Sequence, residues 1–496
     1  MKRYLAVDLG AESGRVMAAS LHDSILELEQ LHRFANTPVR LPTGLYWDTL
    51  RLWHEIQEGL HVAGRRGIEA LGVGVDTWGV DFGLLGPDGA LVDNPRHYRD
   101  SRNNGMIERT SAALTKERIY AETGLQFMQF NTLCQLHALK LAASPALDSA
   151  HSLVFMPDLF AYFLSGVIRA EQTIASTSQF YNPATGKWAT GLLSELGIPG
   201  DILPEIVPAG TRLGTLRAEV AEATGLRENT PVFATAGHDT ASAVAAVPAE
   251  RPFAEGGWCY ISSGTWSLMG VELDAPITTA RALELNFTNE VGVEGKVRLL
   301  KNIMGLWPLQ ECRRAWEAEG RVYSYAELAA LAAAAEPFFA VIDPDAFLEP
   351  GHMPERIARW AQQHGEAVPT EPGAVARVIL ESLALRYRQV LESLEELTAG
   401  PIATVHIVGG GSQNTLLNQM VADCTQRTVI AGPTEATAAG NVLVQAMGAG
   451  EVSGLAEIRA VVRRSFPLET VTPRPGAAEA GWNAAYERFR KLQRAV

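Results

Sequence analysis

Tyr4-Leu-Ala-Val-Asp-Leu-Gly-Ala-Glu-Ser-Gly-Arg-Val-Met-Ala-Ala-Ser20 is the stretch from which the rest of the chain is read. The apolar run Tyr4 to Val7 predicts a buried strand. Gly10 and Gly14 bracket a tight turn, and Val16 to Ala19 predict the returning strand of a hairpin. Asp8 stands where the first strand meets the turn. Small residues there let backbone N–H groups approach an anion, and Arg15 adds a planar donor fork. Such a turn suits phosphate groups, and the carboxylate beside it suits a hydrated Mg2+. Taken alone, the same residues describe equally well a hairpin with a surface salt bridge.

The chain has 496 residues, which is too many for one ordinary core, so two large domains are expected. The boundary is placed in the Pro- and Gly-containing segment 248–257, giving an N-terminal domain 1–247 and a C-terminal domain 248–496. Acids outnumber bases by 56 to 42, which argues against non-specific binding to nucleic acid. Cys134, Cys259, Cys312 and Cys424 form no CxxC pair, so neither a disulfide framework nor a structural zinc site is expected, and a reducing cytoplasm is. Too few apolar residues precede Asp8 for a signal peptide. The Ala-rich stretch 328–342 is broken by Glu336 and Pro337, so no membrane span is expected.

Strand-like and helix-like segments alternate along the first half. A helix is predicted over 45–63, from Trp53, Ile56 and Leu60 at helical spacing. A buried strand is predicted over 71–76, ending on Asp76 where open α/β sheets place ligand-contacting groups. A hairpin-like segment is predicted from Thr77 through Gly83 toward Gly89. His97 to Arg102 is a polar knot that suits a polyhydroxy ligand but equally forms a surface salt-bridge cluster. A helix is predicted from Asp158 to Gly166. The strand Pro231 to Ala236 meets Gly237-His238-Asp239-Thr240 and a small-residue helix. Asp239 or Thr240 there reads as a helix cap, and a carboxylate beside His and Thr also suits a base that takes a proton from a hydroxyl.

The hairpin pattern of the opening returns in the second half, with strand 258–261, turn Ser262 to Thr265 and return strand 266–271. Two related α/β domains are therefore expected. Helix 374–397 carries one apolar face. Strand 405–408 enters Gly409-Gly410-Gly411-Ser412. Three consecutive glycines cost backbone entropy, which makes sense where a flat ring or a phosphate must touch the main chain. The small-residue helix opening at Thr434 to Gly440 is expected to pack against that glycine turn. Trp482, Tyr486 and Phe489 give a final helix a core-facing stripe.

P-loop, HExxH, GxSxG and protein-kinase signatures are absent. Asp8-Leu9-Gly10 with Ser13-Gly14-Arg15, then Ser263-Gly264-Thr265, then Gly409 to Ser412 resemble, in order and separation, the first phosphate motif, second phosphate motif and adenosine turn of the FGGY carbohydrate kinases. These belong to the actin, Hsp70 and hexokinase superfamily, and the resemblance spans nearly the whole chain. It implies two ribonuclease H-like (actin-like ATPase) α/β domains flanking a central cleft, with ATP and Mg2+ as cofactors. The strings Asp76 to Phe82, Tyr98 to Arg102, His238 to Val244, Ser262 to Gly270 and Lys301 to Trp307 resemble members that phosphorylate the 1-hydroxyl of L-rhamnulose. They fit glycerol or xylulose kinases less well.

What the resemblance implies for single residues is as follows. Asp239 would be the catalytic base and Asp8 would hold Mg2+ through water. Ala11, Glu12, Ser13, Gly14 and Arg15 would lie at the phosphates, with Thr265 from the second domain. Glu12 departs from the small hydroxyl residue of many relatives. Gly410 and Gln310 would serve the nucleotide, and Gly79, His238, Asp239, Thr240 and Asn302 would line the sugar. Closure of the cleft would exclude water. The expected partners are a sugar and ATP, without nucleic acid or membrane, in a monomer or small homo-oligomer. An FGGY kinase for L-fuculose, xylulose or ribulose, an actin- or Hsp70-like nucleotide switch and a sugar-sensing regulator are the competing expectations.

Overall fold

In the computed structural model, which describes residues 2–494, the chain packs as two compact units. The first comprises residues 1–250, 272–299 and 436–465; the second comprises residues 251–271, 300–435 and 466–496. Packing therefore does not follow chain order. Two segments from the second half of the chain join the first unit.

The first unit is built on a sheet of β1 (Lys2–Leu9), β2 (Ser13–His22), β3 (Ile25–Ala35), β4 (Glu69–Thr77), β5 (Thr211–Thr215) and β6 (Pro231–Ala234), in the order β5-β6-β4-β1-β2-β3. The expected hairpin is present as β1 and β2, paired antiparallel from Tyr4 with Ala19 to Leu9 with Gly14. β3 was not expected from the sequence, because it buries Leu26 and Phe34 but exposes Glu27, Glu29, Gln30 and Arg33 between them, so no buried run marks it. β1 runs parallel to β4, with Asp8 opposite Asp76.

The second unit repeats the plan. The strands β7 (Trp258–Ser263), β8 (Trp266–Leu273), β9 (Val297–Met304), β10 (Thr404–Val408), β11 (Thr428–Ala431) and β12 (Glu469–Val471) are ordered β9-β8-β7-β10-β11-β12. Again an antiparallel hairpin, β7 with β8, lies beside a parallel strand, β10. A second parallel strand and an antiparallel edge then follow.

Several local expectations are corrected. The first long helix spans Thr49–Arg65 rather than starting at Leu45, because Gly44–Tyr46 forms a short strand and Asp48 caps the helix by accepting the N–H of Arg51 at 3.2 Å. After Thr77 the chain leaves the sheet, and Phe82–Leu85 joins a separate small sheet with Leu91–Asp93 and Ser152–Phe155. The small face of helix Ala436–Gly448 packs on helix Asp239–Ala245, both within the first unit. The other helices predicted from periodicity are present, as Met156–Ser165, Pro372–Thr398 and Asn483–Arg494. Among the described residues no helix is long and apolar enough to cross a membrane.

The close approach of those two helices rests on Gly440. A Cβ there would lie 1.8 Å from the Ser242 carbonyl oxygen. Gly to Ala inside a helix normally gains about 1 kcal/mol. Here the backbone collision reverses the sign, and Gly440→Ala is expected to destabilise the protein by about 1–3 kcal/mol, read from urea unfolding midpoints.

Candidate active site

The turn between β1 and β2 closes through the Gly10 N–H donating to the Ser13 carbonyl at 2.9 Å. Asn36, just beyond β3, braces it. Its N–H reaches the Glu12 carbonyl at 3.0 Å and its Nδ2 reaches the Gly10 carbonyl at 2.9 Å. Ala11, Glu12, Ser13 and Arg15 are half-buried. Gly14 is buried, and a Cβ there would fall 2.3 Å from the Phe34 ring. Sheet packing therefore already favours a glycine here, apart from any ligand.

Asp8 is 6% exposed. Arg15 donates to its Oδ2 twice, from Nε at 2.9 Å and NH2 at 2.7 Å. Among the described residues no hydrogen bond reaches Oδ1. Asp76, opposite Asp8 in the parallel register, is fully buried. Asn441 Nδ2 donates to Asp76 Oδ2 at 2.6 Å, while Asp76 Oδ1 has no partner among the described residues. Burial first, and then the charge of Asp8, pushes the Asp76 carboxyl well above its ordinary range, against the hydrogen bond from Asn441. Asn441 and Gln445 were not singled out from the sequence. Gln445 Nε2 donates to the Leu5 carbonyl at 3.0 Å and to Asn441 Oδ1 at 2.7 Å. Two amides four residues apart in an otherwise apolar, small-residue helix were the available signal.

Among the described residues no three metal-ligating side chains cluster. An all-protein cage is therefore not formed. Carboxylate oxygens at Asp8, with few protein ligands, fit Mg2+, which keeps most of its waters.

The Gly237–Asp239 loop is tied down from several sides. Gly237 N–H donates to Glu171 Oε2 at 2.9 Å, and its carbonyl accepts the Thr77 N–H at 2.8 Å. His238 N–H donates to Thr173 Oγ1 at 3.2 Å. The cap of the following helix is His238, which makes no side-chain cap bond, rather than Asp239 or Thr240. Asp239 is the first helical residue, with its side chain 30% exposed. Its Oδ1 accepts the Thr240 N–H at 2.5 Å and hydroxyl at 3.1 Å. Thr240 thus orients the carboxylate. Burial pushes the Asp239 carboxyl above its ordinary value, His238 opposes the shift and Asp8 adds to it. His238 Nε2 lies 3.4 Å from Asp239 Oδ1. A Cβ on Gly79 would sit 3.4 Å from the same Nε2 and from Thr177 Cγ2. Gly79, His238, Asp239 and Thr240 therefore converge in the first unit. Next to Gly79, the β-branched Val80 has φ 68°, with its carbonyl held by Thr132 Oγ1 at 2.7 Å and its N–H by Thr177 Oγ1 at 3.2 Å. A β-branched residue in that region is strained and persists only when its surroundings hold it.

In the second unit, Thr265 lies in the β7–β8 turn. The Thr265 carbonyl accepts the Trp307 N–H at 3.2 Å and the Gly264 carbonyl accepts the Leu306 N–H at 3.0 Å. Helix Trp307–Ala318, which carries Gln310, therefore starts against this turn, and Gln310 Oε1 is buried without a partner among the described residues. Asn302 is half-buried on β9. The three glycines have different reasons. Gly409 has φ 84°, and a Cβ on Gly411 would lie 2.0 Å from Ser263 Oγ. Gly410 is exposed, and a Cβ there would meet nothing within 4 Å. Backbone conformation at Gly409 and packing at Gly411 explain two of the glycines and give no reason for Gly410.

Two family descriptions match the chain: the N-terminal domain of the FGGY family of carbohydrate kinases over residues 3–246 and the C-terminal domain over 259–449. The chain belongs to the FGGY family of carbohydrate kinases. Among its relatives, the rhamnulokinase of Bacteroides thetaiotaomicron is 46% identical, covering 99% of this chain and 100% of that protein. The rhamnulokinase of Pectobacterium carotovorum is 42% identical over 99% and 97%. The fold is shared with the xylulose kinase of Lactobacillus acidophilus, at TM-score 0.82 and 14% identity over 100% of this chain and 98% of that one.

The knot at His97 to Arg102 is a structural centre rather than a surface salt-bridge cluster. Trp47 and His97 stack with centroids 4.1 Å apart, and His97 stacks on Tyr98 at 4.5 Å. Asp81, fully buried, holds this group. Its Oδ2 accepts from Trp47 Nε1 at 2.6 Å, Trp78 Nε1 at 3.1 Å and the Tyr98 N–H at 3.1 Å, and its Oδ1 accepts from Gln135 Nε2 at 2.8 Å. Burial nonetheless raises its carboxyl to about 6, against the bonds from Gln135, Trp47 and Trp78. Unfolded, the group ionises near pH 4. A raised folded value means that its contribution to stability is complete below that pH and is lost as pH rises through about 6. In urea titrations from about pH 4 to about pH 7, Asp81→Asn is expected to abolish this component, flattening the fall in stability relative to the wild-type protein.

Proposed function

We propose that the chain transfers the γ-phosphoryl group of ATP to the 1-hydroxyl of L-rhamnulose, giving L-rhamnulose 1-phosphate and ADP in L-rhamnose breakdown. Identity of 39–46% to rhamnulokinases over nearly the whole chain supports the substrate. The observation that carries the chemistry is the Asp239 carboxylate, partly exposed beside His238 and Gly79 with its proton affinity raised.

Phosphoryl transfer needs in-line placement and charge neutralisation more than covalent work by the protein. Asp239 accepts the hydroxyl proton as the sugar oxygen bonds to the γ-phosphorus and the bond from that phosphorus to the ADP oxygen breaks. A base with raised affinity is better matched to a hydroxyl near neutral pH, and Thr240 keeps its carboxylate aimed. Gly79, His238, Thr240 and Asn302 are assigned to the sugar. The turn Ala11 to Arg15 and Thr265 are assigned to the phosphates, where Glu12 must turn its carboxylate aside. Gln310 and Gly410 are assigned to the nucleotide. Asp8 would hold Mg2+ through water, and the ion would supply neutralisation of phosphate charge. All four cysteines are buried and unpaired, which supports a reducing cytoplasm as the compartment.

Sugar-dependent ADP release across a panel of ketoses tests the substrate, with the highest kcat/KM expected for L-rhamnulose. Equal or better turnover of xylulose, ribulose or L-fuculose would reassign it. Asp239→Asn is expected to lower kcat about 10²- to 10⁴-fold with both substrates still binding by calorimetry; near-normal turnover would remove the residue from the mechanism. In Asp8→Ala the defect is expected in the Mg2+ and nucleotide dependence, with sugar binding retained.

A further inference from the structure

Behind His238 lies a buried pair that the proposed mechanism does not use. Arg298 is completely buried, and the Glu290 and His238 side chains are 6% and 8% exposed. Glu290 Oε2 stands 3.1 Å from His238 Nδ1 and 3.1 Å from Arg298 NH2. Arg298 also donates to the Val291 carbonyl, from Nε at 3.2 Å and NH2 at 3.1 Å. The strand carrying Glu290, Thr288–Val291, is fixed in turn by the Val291 N–H donating to Ser176 Oγ at 2.8 Å. A buried ion pair is a poor way to gain stability, because desolvation offsets the attraction. Its placement against one nitrogen of a histidine beside Asp239 points to another use.

The charges around the ring favour one arrangement of its hydrogens. Burial works against charge on Glu290, but the neighbouring His238 and Arg298 outweigh it and hold the carboxyl below its ordinary range. An ionised carboxylate only accepts, so the 3.1 Å approach of Glu290 Oε2 to Nδ1 is favourable when Nδ1 carries a hydrogen. Arg298 NH2, 3.3 Å from the same Nδ1, only donates and so cannot bond to it in that form. Its hydrogens go to Glu290 and Val291. In the neutral ring, Nε2 is then an acceptor. It faces the place where Gly79 lacks a side chain, next to Asp239.

We propose that Glu290, backed by Arg298, is a positioning residue that keeps the hydrogen of His238 on Nδ1 and so presents Nε2 as the acceptor for a hydroxyl of the bound sugar. This rests on the reading that His238 lines the sugar.

Imidazole ¹⁵N NMR of the full chain without ligand tests the first half, with the His238 signals assigned by His238→Gln. The wild-type ring is expected with its hydrogen on Nδ1; a neutral ring protonated on Nε2 would overturn the proposal. In Glu290→Gln the fixed form is expected to give way to a mixture, and KM for L-rhamnulose to rise about tenfold while KM for ATP stays unchanged. A redistributed ring with an unchanged sugar KM would overturn the recognition role, as would an unchanged ring in the variant. Should Glu290→Gln fail to fold, Glu290→Gln with Arg298→Met removes both charges together and is read in the same way. If the wild-type chain turns over no L-rhamnulose, the function reading fails, and the ring spectra still decide what Glu290 does.

Discussion

Two carboxylates facing each other across neighbouring parallel strands set the terms for the first unit. The register of β1 and β4 puts Asp8 opposite Asp76, and burial together with the charge of Asp8 resists ionisation of Asp76. The surrounding residues share that cost. Arg15 returns along β2 to donate two hydrogen bonds to Asp8, and helix Ala436–Gly448 sends Asn441 to Asp76. That helix reaches the sheet because Gly440 lets it approach helix Asp239–Ala245, whose first residue is the proposed base. Turn, strand pair, helix pair and base are thus linked through these hydrogen bonds and one close helix contact. A protein selected for stability alone would place apolar residues there.

The second unit repeats the strand plan without the acids. A hairpin lies beside a parallel strand in both sheets, but the second hairpin turns through Ser263, Gly264 and Thr265, and its parallel strand leads into three glycines. Neutral donors and bare main chain suit a nucleotide, whereas acids suit a cation and a proton.

Much of this was legible locally. Tyr4 to Ser20 announced its hairpin because apolar runs and glycine turns report on neighbours only a few residues away. The helix caps and apolar faces were readable for the same reason. Gly14 shows the limit. Its sequence context suggested a phosphate contact, but the Phe34 ring, twenty residues further along, already crowds the place of a side chain there. The triple glycine was read as one feature, whereas packing separates Gly410 from its two neighbours. β3 gave no buried run, because the exposed Glu27, Glu29, Gln30 and Arg33 separate its buried Leu26 and Phe34.

By itself the sequence determined the α/β class, the two hairpins, the ordered motifs of the family and the residues at the strand ends. These depend on local periodicity and backbone chemistry. Only the tertiary structure decided that residues 272–299 and 436–465 pack with the first unit. It also decided that Asn441 serves Asp76, that Glu290 and Arg298 stand behind His238, and that Thr240 aims Asp239 rather than capping the helix. Apart from the adjacent pair Asp239 and Thr240, these partners are joined by side chains from distant parts of the chain. No pattern of sequence spacing encodes such a contact before the sheets and helices have packed.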